Sequence, residues 1–361
     1  MNRRQVLTSG VAVGAAAAGW LGWRQALGST DAYEAYSREL RAPLTDDPPL
    51  TELIRTATLA MSGHNTQPWR FRLGPGSVEL RPDPSRATPV VDPDDHHLFV
   101  SLGCAAETLA IAGAAAGRPG AIEAAPDGQL HYRFTPVPPR PDPLAAAIAQ
   151  RQSTRALYDG RPVPAETLDA LARATSQPGV RCVLLTARPR LDQLRDLTIA
   201  GNEAQMRDPT FRAELKHWLR FNPASAIRHG DGLYAPANGS PPLPDGLGPY
   251  AFDLFVTAAS ENDKYARQID SSPGVAVFFA EQADPAGWTA VGRACQRFAL
   301  AATARGLKLA CLNPAVEVAA LRPELAALAG EAGLRPDMVM RFGYGPALPF
   351  APRRPVASVL A

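Results

Sequence analysis

The chain has 361 residues, with 37 basic against 35 acidic side chains for a net charge of +2, and 36 prolines. That length accommodates one large domain or two modest ones, because domains usually run to roughly 100 to 200 residues. So even a charge balance argues against nucleic acid or another polyanion as the partner.

At the N-terminus Asn2-Arg3-Arg4-Gln5-Val6-Leu7-Thr8 precedes a weakly apolar, Ala/Gly-rich run from Val11 to Trp23. This pattern fits a twin-arginine export signal over residues 1–30 better than a spanning helix of about 20 strongly apolar residues. The expectation is an exported protein, periplasmic or otherwise extracytoplasmic, with the export machinery as a partner. Ala26-Leu27-Gly28 fits a cleavage site only loosely, and an uncleaved anchor is the alternative.

Residues 53–59 read as a helix and residues 69–73 as a strand. Between them lies Ser62-Gly63-His64-Asn65-Thr66-Gln67-Pro68-Trp69. The residue before a proline is pushed out of the helical region, so the second half of this loop is extended. Such a loop offers several donors to a flat, polar ligand; alone, Gln67-Pro68-Trp69 reads equally as a helix stop that drops an indole into the core. Ser62 and His64 have no partner carboxylate in the pattern, and His64 reads as a plain loop residue.

Asp92-Pro93-Asp94-Asp95-His96-His97 has metal-ligand residue types, but adjacent ligands point in different directions. A solvated turn, and no metal, is expected there. A helix follows from Ser101 to Gly117, then a stiff proline-rich linker at residues 136–143. Arg151-Gln152-Ser153-Thr154-Arg155 comes next, two arginines flanking a serine in what reads as the approach to a helix. That arrangement is a ready phosphate clamp, or else a solvated basic turn.

The second half repeats the first. Residues 168–174 and 180–185 parallel the earlier helix and strand, and residues 290–306 match residues 101–117 with both glycines at the same offset. Leu102, Leu109 and Ala112 recur at helical spacing, as do Val291, Phe298 and Ala301, and the small residues between them let two helices approach closely. Trp69 and Gly103 lie 34 positions apart, whereas Val180 and Gly292 lie 112 apart, an excess that predicts an inserted lid at about residues 203–250. Its first part, residues 203–220, reads as an amphipathic helix; residues 238–246 cannot be regular structure. Cys104, Cys182, Cys295 and Cys311 are widely separated and read as buried thiols, with pairing left open. Gly343-Tyr344-Gly345 lacks the helix and third glycine of a dinucleotide fingerprint and reads as a strand end.

Together the 62–69 loop and the 151–155 run resemble the nitroreductase family, whose members hold flavin mononucleotide (FMN) with an Arg-x-Ser-x-Arg helix start and an Asn-x-Gln-Pro-Trp loop. The likeness extends to Arg341-Phe342-Gly343-Tyr344-Gly345 and Pro352-Arg353-Arg354-Pro355, and covers most of the chain after about residue 40. It implies an α+β fold with mixed sheets and packed helices. The Acg-like branch, fused into a pseudo-dimer and bearing insertions, is the most similar, with halves at residues 31–145 and 146–361. The loop survives only in the first half and the clamp only in the second, so one flavin per chain and a monomer are expected.

By this resemblance Arg151, Gln152, Ser153 and Arg155 hold the phosphate and ribityl chain, with Arg353 or Arg354 completing the cluster. Ser62, Asn65 and Gln67 face the ring or ribityl hydroxyls, and a backbone amide of Cys311, Leu312 or Asn313 approaches the reactive ring nitrogen. The flavin would supply the redox chemistry, with NAD(P)H a possible reductant, so no catalytic acid or base is named. The implied function is an oxidoreductase passing hydride to a small electrophile; a flavin-sequestering protein without turnover is the rival, favoured by export and by the lid.

Overall fold

The computed structural model describes residues 22–125 and 128–361. The arginine pair and most of the expected signal lie outside the described residues. The chain enters through α1 (Thr30–Leu40), whose first turn is capped by Ser29 Oγ accepting from the Ala32 amide at 3.2 Å. Helix α2 (Leu50–Ala57) leads into the 62–69 loop, followed by β1 (Trp69–Gly74), β2 (Ser77–Pro82), the 20-residue α3 (His96–Ala115), β3 (Gly120–Ala124) and β4 (Leu130–Phe134). The linker carries α4 (Pro143–Ile148), after which α5 (Ala165–Ala174) and β5 (Val180–Leu185) open the second unit.

A long excursion then holds α6 (Arg188–Arg207), α7 (Pro209–His217), β6 (Leu219–Arg220), α8 (Pro223–His229), β7 (Leu233–Tyr234), α9 (Gly248–Phe255) and α10 (Ala258–Asp270). The unit closes with β8 (Gly274–Ala280), α11 (Pro285–Ala304), β9 (Lys308–Cys311), α12 (Pro314–Glu317), α13 (Arg322–Ala329) and β10 (Pro336–Gly343). The strand orders are β1-β2-β4-β3 and β5-β8-β10-β9. In both sheets the pairs are antiparallel, the order is first-second-fourth-third, and a 20-residue helix joins the second strand to the third. Each sheet also gains a parallel bridge at its edge, Leu360 on Phe71 and Ser153 on Leu309, which makes both mixed.

The two long helices cross at their glycines. A Cβ on Gly103 would sit 2.1 Å from the Thr289 carbonyl oxygen, and one on Gly292 would sit 2.0 Å from that of Val100, so the backbones touch where only hydrogen fits. Leu102, Leu109, Ala112, Val291, Phe298 and Ala301 all lie in the core between the sheets. Buried Glu107 ties the pair together, accepting from Arg293 Nε at 2.8 Å and Arg297 Nη1 at 2.7 Å. Helix α3 is long and apolar enough to cross a membrane by composition, but 78% of its most apolar stretch is buried within the fold.

The excursion differs from the expected lid. It begins well before residue 203, because Leu191, Leu194 and Leu197 of α6 and Ile269 of α10 bury against Val275, Val277 and Phe279 on the outer face of the second sheet. Nor is 203–220 one helix: Asp208 caps a new helix, its carboxylate accepting from the Thr210 amide, with Pro209 at the first turn. Residues 239–246 are irregular, as expected. The four cysteines are unpaired; Cys104 and Cys295 are buried, while Cys182 and Cys311 are only half-buried.

Candidate functional site

The 62–69 loop is strained. His64, Asn65 and Gln67 have φ values of 45°, 54° and 55°, in the left-handed region that costs a non-glycine residue about 1 kcal/mol or more. Side-chain hydrogen bonds hold it there. Asn65 Nδ2 donates to the carbonyls of Gly232 and Pro352, both at 3.0 Å, while Asn65 Oδ1 accepts from Arg353 Nη1 at 2.9 Å. Gln67 Nε2 donates to Gly230 O at 2.8 Å, and Gln67 Oε1 accepts from the Arg354 amide at 2.9 Å. One loop thus fastens the excursion and the C-terminal segment to the first unit. Trp69 behind it is fully buried core, as the helix-stop reading allows.

Beside the loop opens a cavity of about 560 Å³, a size typical of small-molecule sites. Ser62, Asn65, Arg151, Gln152, Ser153, Arg155, Asn313 and Arg353 line it, along with Cys311. Three of the sequence-expected residues do not. Gln67 is fully buried and spends its amide on Gly230 and Arg354; Arg354 donates to the carbonyls of Gln67 and Ser358 at 3.1 and 2.7 Å; Leu312 lies in the second core with its amide donated to Val339 O at 2.8 Å. Gln152 and Asn313 reach the cavity, but their amides are committed as well: Gln152 to Leu348 and Thr154, Asn313 to Val339 and Met338.

The 151–155 run is not a helix start. The Arg151 amide closes the end of α4 on Ala147 O, the Thr154 amide donates to Leu309 O at the edge of the second sheet, and the next helix waits until Ala165 behind Pro162 and Pro164. Its positive field therefore comes from guanidinium groups rather than from helix-end amides. Arg151 and Arg353 both donate to Leu59 O beyond the C-terminal end of α2, at 2.7 and 3.1 Å. Nε and Nη1 of Arg151, Nε of Arg353 and Nε of Arg41 are buried without any acceptor.

Among the described residues no carboxylate pairs with Arg41, Arg151, Arg155 or Arg353. Burial lowers the Arg353 pKa well below its ordinary value, helped by the neighbouring charges of Arg151 and Arg41, and burial brings Arg41 down to about 10. A cluster of desolvated cations whose N–H groups meet no protein acceptor is chemically suited to an anion. Arg155 stands at the rim, bound to Asn238 of the excursion.

The excursion adds apolar side chains to the lining: Phe211 and Leu215 of α7, then Phe252, Phe255 and Val256 of α9 and its end. Phe255 is also 69% exposed, so it stands at the mouth. His64 and His97 line the cavity too; burial drops His64 to about 4, so its ring is neutral at ordinary pH.

The Asp92 to His97 stretch is a solvated turn only at Pro93, Asp94 and Asp95, which are exposed; its two ends are buried. Asp92 is buried and its carboxylate caps α3, accepting from the amides of His97 and Leu98 at 2.9 and 3.0 Å, while His96 lies 3.1 Å from Asp337. The apolar helix that follows draws these polar groups inward, where each needs a partner. Among the described residues no set of three or more His, Cys, Asp or Glu side chains is placed to hold a metal. Sequence reasoning missed Arg41, His97 and Glu317 as cavity residues, since each reaches it from an element distant in the chain.

No protein-family model matches the chain. The curated proteins it resembles include two from Mycobacterium tuberculosis strains CDC 1551 and H37Rv, both described as candidate NAD(P)H nitroreductases. Each is 29% identical over 327 residues, spanning 86% of this chain and 92% of its own. Similar solved structures include a nitroreductase with bound FMN from Desulfitobacterium hafniense, 17% identical, with a TM-score of 0.37 over 60% of this chain and 94% of that one. Another is the FMN-dependent nitroreductase NfnB from Mycobacterium smegmatis in complex with NADPH, 18% identical, with a TM-score of 0.37 over 56% and 87%. The likeness to nitroreductases that the motifs carry therefore extends along most of the chain.

Proposed function

We propose that this chain is an FMN-dependent, nitroreductase-type oxidoreductase, built as a duplicated pseudo-dimer with one flavin site. The observation that carries the reading is the buried arginine cluster. Arg41, Arg151 and Arg353 stand together in the lining of a cavity that also carries apolar and aromatic side chains, and each keeps a buried guanidinium nitrogen without an acceptor. A phosphate at the arginines and a flat ring against the apolar side chains match those two features. The residues that would hold the cofactor are Arg151, Arg353 and Arg41 at the phosphate, Arg155, Ser153 and Ser62 along the phosphate and ribityl chain, and the 62–65 loop beside the ring. Bound FMN would supply hydride acceptance and donation; the relatives named as NAD(P)H nitroreductases support a reduced nicotinamide as its source.

The middle of the excursion, α7 to α9, acts as the lid in this reading. Lid and arginines together exclude water, which strengthens every charge interaction inside. The rival reading is flavin sequestration without turnover, and what favours it is that Phe211, Leu215, Phe252 and Phe255 of the lid reach into the cavity, leaving less room for a stacked donor. Export as folded, flavin-loaded cargo through the Arg3-Arg4 signal is part of the proposal and is consistent with either reading.

Replacing Arg151 and Arg155 together by alanine is expected to weaken flavin retention at least about a hundredfold, since each charged hydrogen bond contributes about 1.5 to 3 kcal/mol. Flavin absorbance of the purified variant measures it, and unchanged content would refute the site. Anaerobic addition of NADPH to wild type separates enzyme from store: a bleached flavin band supports turnover, a persistent one sequestration.

A further inference from the structure

Helix α9 carries an apolar face that nothing in the fold covers. Gly248, Ala251, Phe252 and Phe255 line the cavity. Leu247, just before the helix, and Tyr250 and Leu254 within it do not, and they are 50%, 75% and 69% exposed. Positions 247, 250 and 254 share one helical face, with exposed Phe255 at its edge. Trp23 aside, the other large apolar side chains that stand exposed, Leu73, Val90, Val137 and Leu157, are scattered over separate parts of the chain, as single exposed residues normally are. Asp253 is the one charged residue of α9, and two cations of α7 neutralise it: Lys216 Nζ lies at 2.5 Å and Arg212 Nη2 at 3.7 Å. The trio keeps a net positive charge beside the apolar face.

A lipid surface fits this face on three counts. The first is where the chain enters. Residues 22–27 are helical, Trp23 is 43% exposed, and Gly28 packs on α8 so closely that a Cβ there would lie 2.7 Å from the Ala224 nitrogen. Gly248, at the start of α9, meets the Phe221 ring just as closely, and Asn222 Nδ2 donates to Leu243 O at 3.0 Å and Asp245 Oδ1 at 2.8 Å. Residues 221–224 span at most about 10 Å, so Gly28 and the base of α9 adjoin. Upstream, residues 5–23 carry no charged side chain and end on Trp20 and Trp23, and indoles at the end of such a run favour the boundary between lipid and water. The second count is the net positive flank, which anionic headgroups attract. The third is size: an eight-residue helix covers roughly 120 Å², far below the about 800 Å² per partner of a stable protein pair, whereas a helix lying among headgroups needs no matching surface. We propose that Leu247, Tyr250, Leu254 and Phe255 dock the protein on an anionic lipid bilayer, with the mouth of the cavity turned to the lipid. Phe255 links the two, since it lines the cavity and stands exposed. The docking is independent of what the cavity binds.

The test mixes the full-length chain with vesicles of phosphatidylethanolamine and phosphatidylglycerol in equal parts and measures the fraction that sediments with them. Wild type is expected to sediment. In the Tyr250→Ser, Leu254→Ser double variant the partition coefficient is expected to fall at least about tenfold through lost apolar burial, with the melting midpoint unchanged because both side chains are exposed. Vesicles of phosphatidylcholine alone are expected to bind wild type more weakly, and equal binding overturns the anionic preference. Hydrogen exchange on wild type gives a second readout confined to the helix: the anionic vesicles are expected to slow exchange across residues 247–256. Wild type that stays in solution overturns the proposal. So does equal partition of the two proteins, or sedimentation without slowing at residues 247–256, either of which means that the N-terminal run alone holds the membrane. A wild-type dimer in gel filtration that the double variant breaks also overturns it, because a second copy then covers the face.

Discussion

Asn65 concentrates the residue-scale logic of the site. Its backbone is left-handed, and its amide joins Gly232, Pro352 and Arg353, so one side chain positions the 62–69 loop, the excursion and a cavity arginine together. At an ordinary position alanine is more stable than glycine; at a left-handed one the order reverses. Asn65→Ala is expected to cost about 2 kcal/mol or more through lost hydrogen bonds and strain, with Asn65→Gly the milder of the two, as measured by denaturant midpoints. Alanine outperforming glycine would show that the loop relaxes. Asn65, Arg151 and Ser153 were legible in the sequence because they stand in compact motifs. Gln67 and Arg354 were misassigned to the ligand because a motif gives residue types, whereas only the fold shows that the two bind each other's segments. Arg41, His97 and Glu317 were invisible, since they reach the cavity from three elements far apart in the chain.

Among the elements, the crossing of α3 and α11 is the feature the sequence specified most directly. The repeated small residues and the helical spacing of Leu102, Leu109, Val291 and Phe298 foretell two helices in close contact, and the glycines at the crossing explain why. Gly103→Ala or Gly292→Ala would drive a methyl into a carbonyl oxygen, so each is expected to destabilise by about 1 to 3 kcal/mol, and the pair to be less than additive because both act on one contact. Thermal melting checks this; two neutral substitutions would mean that the helices sit further apart. The excursion was harder to read. Its length announced an insertion, but the leucines of α6 are spaced like those of any buried helix, and only the sheet they cover shows that part of the insertion is core rather than lid. The 151–155 run failed as a helix start for a related reason: the bridge from Ser153 to Leu309 at the sheet edge keeps it extended.

For the molecule as a whole, two sheets of one topology enclose two crossing helices, and one cavity joins Arg41 and the 62–65 loop of the first half to Arg151 and Arg353 of the second. The C-terminal segment completes that arrangement by bringing Arg353 to the site and bridging Leu360 to the first sheet. One chain should therefore bind one flavin. The measurement that tests this most directly is titration of the flavin-free protein with FMN, following quenching of flavin fluorescence against protein concentration. A sharp end point at one FMN per chain, lost in the Arg151→Ala, Arg155→Ala double variant, is expected. Two per chain, or no saturable binding at all, would contradict the account.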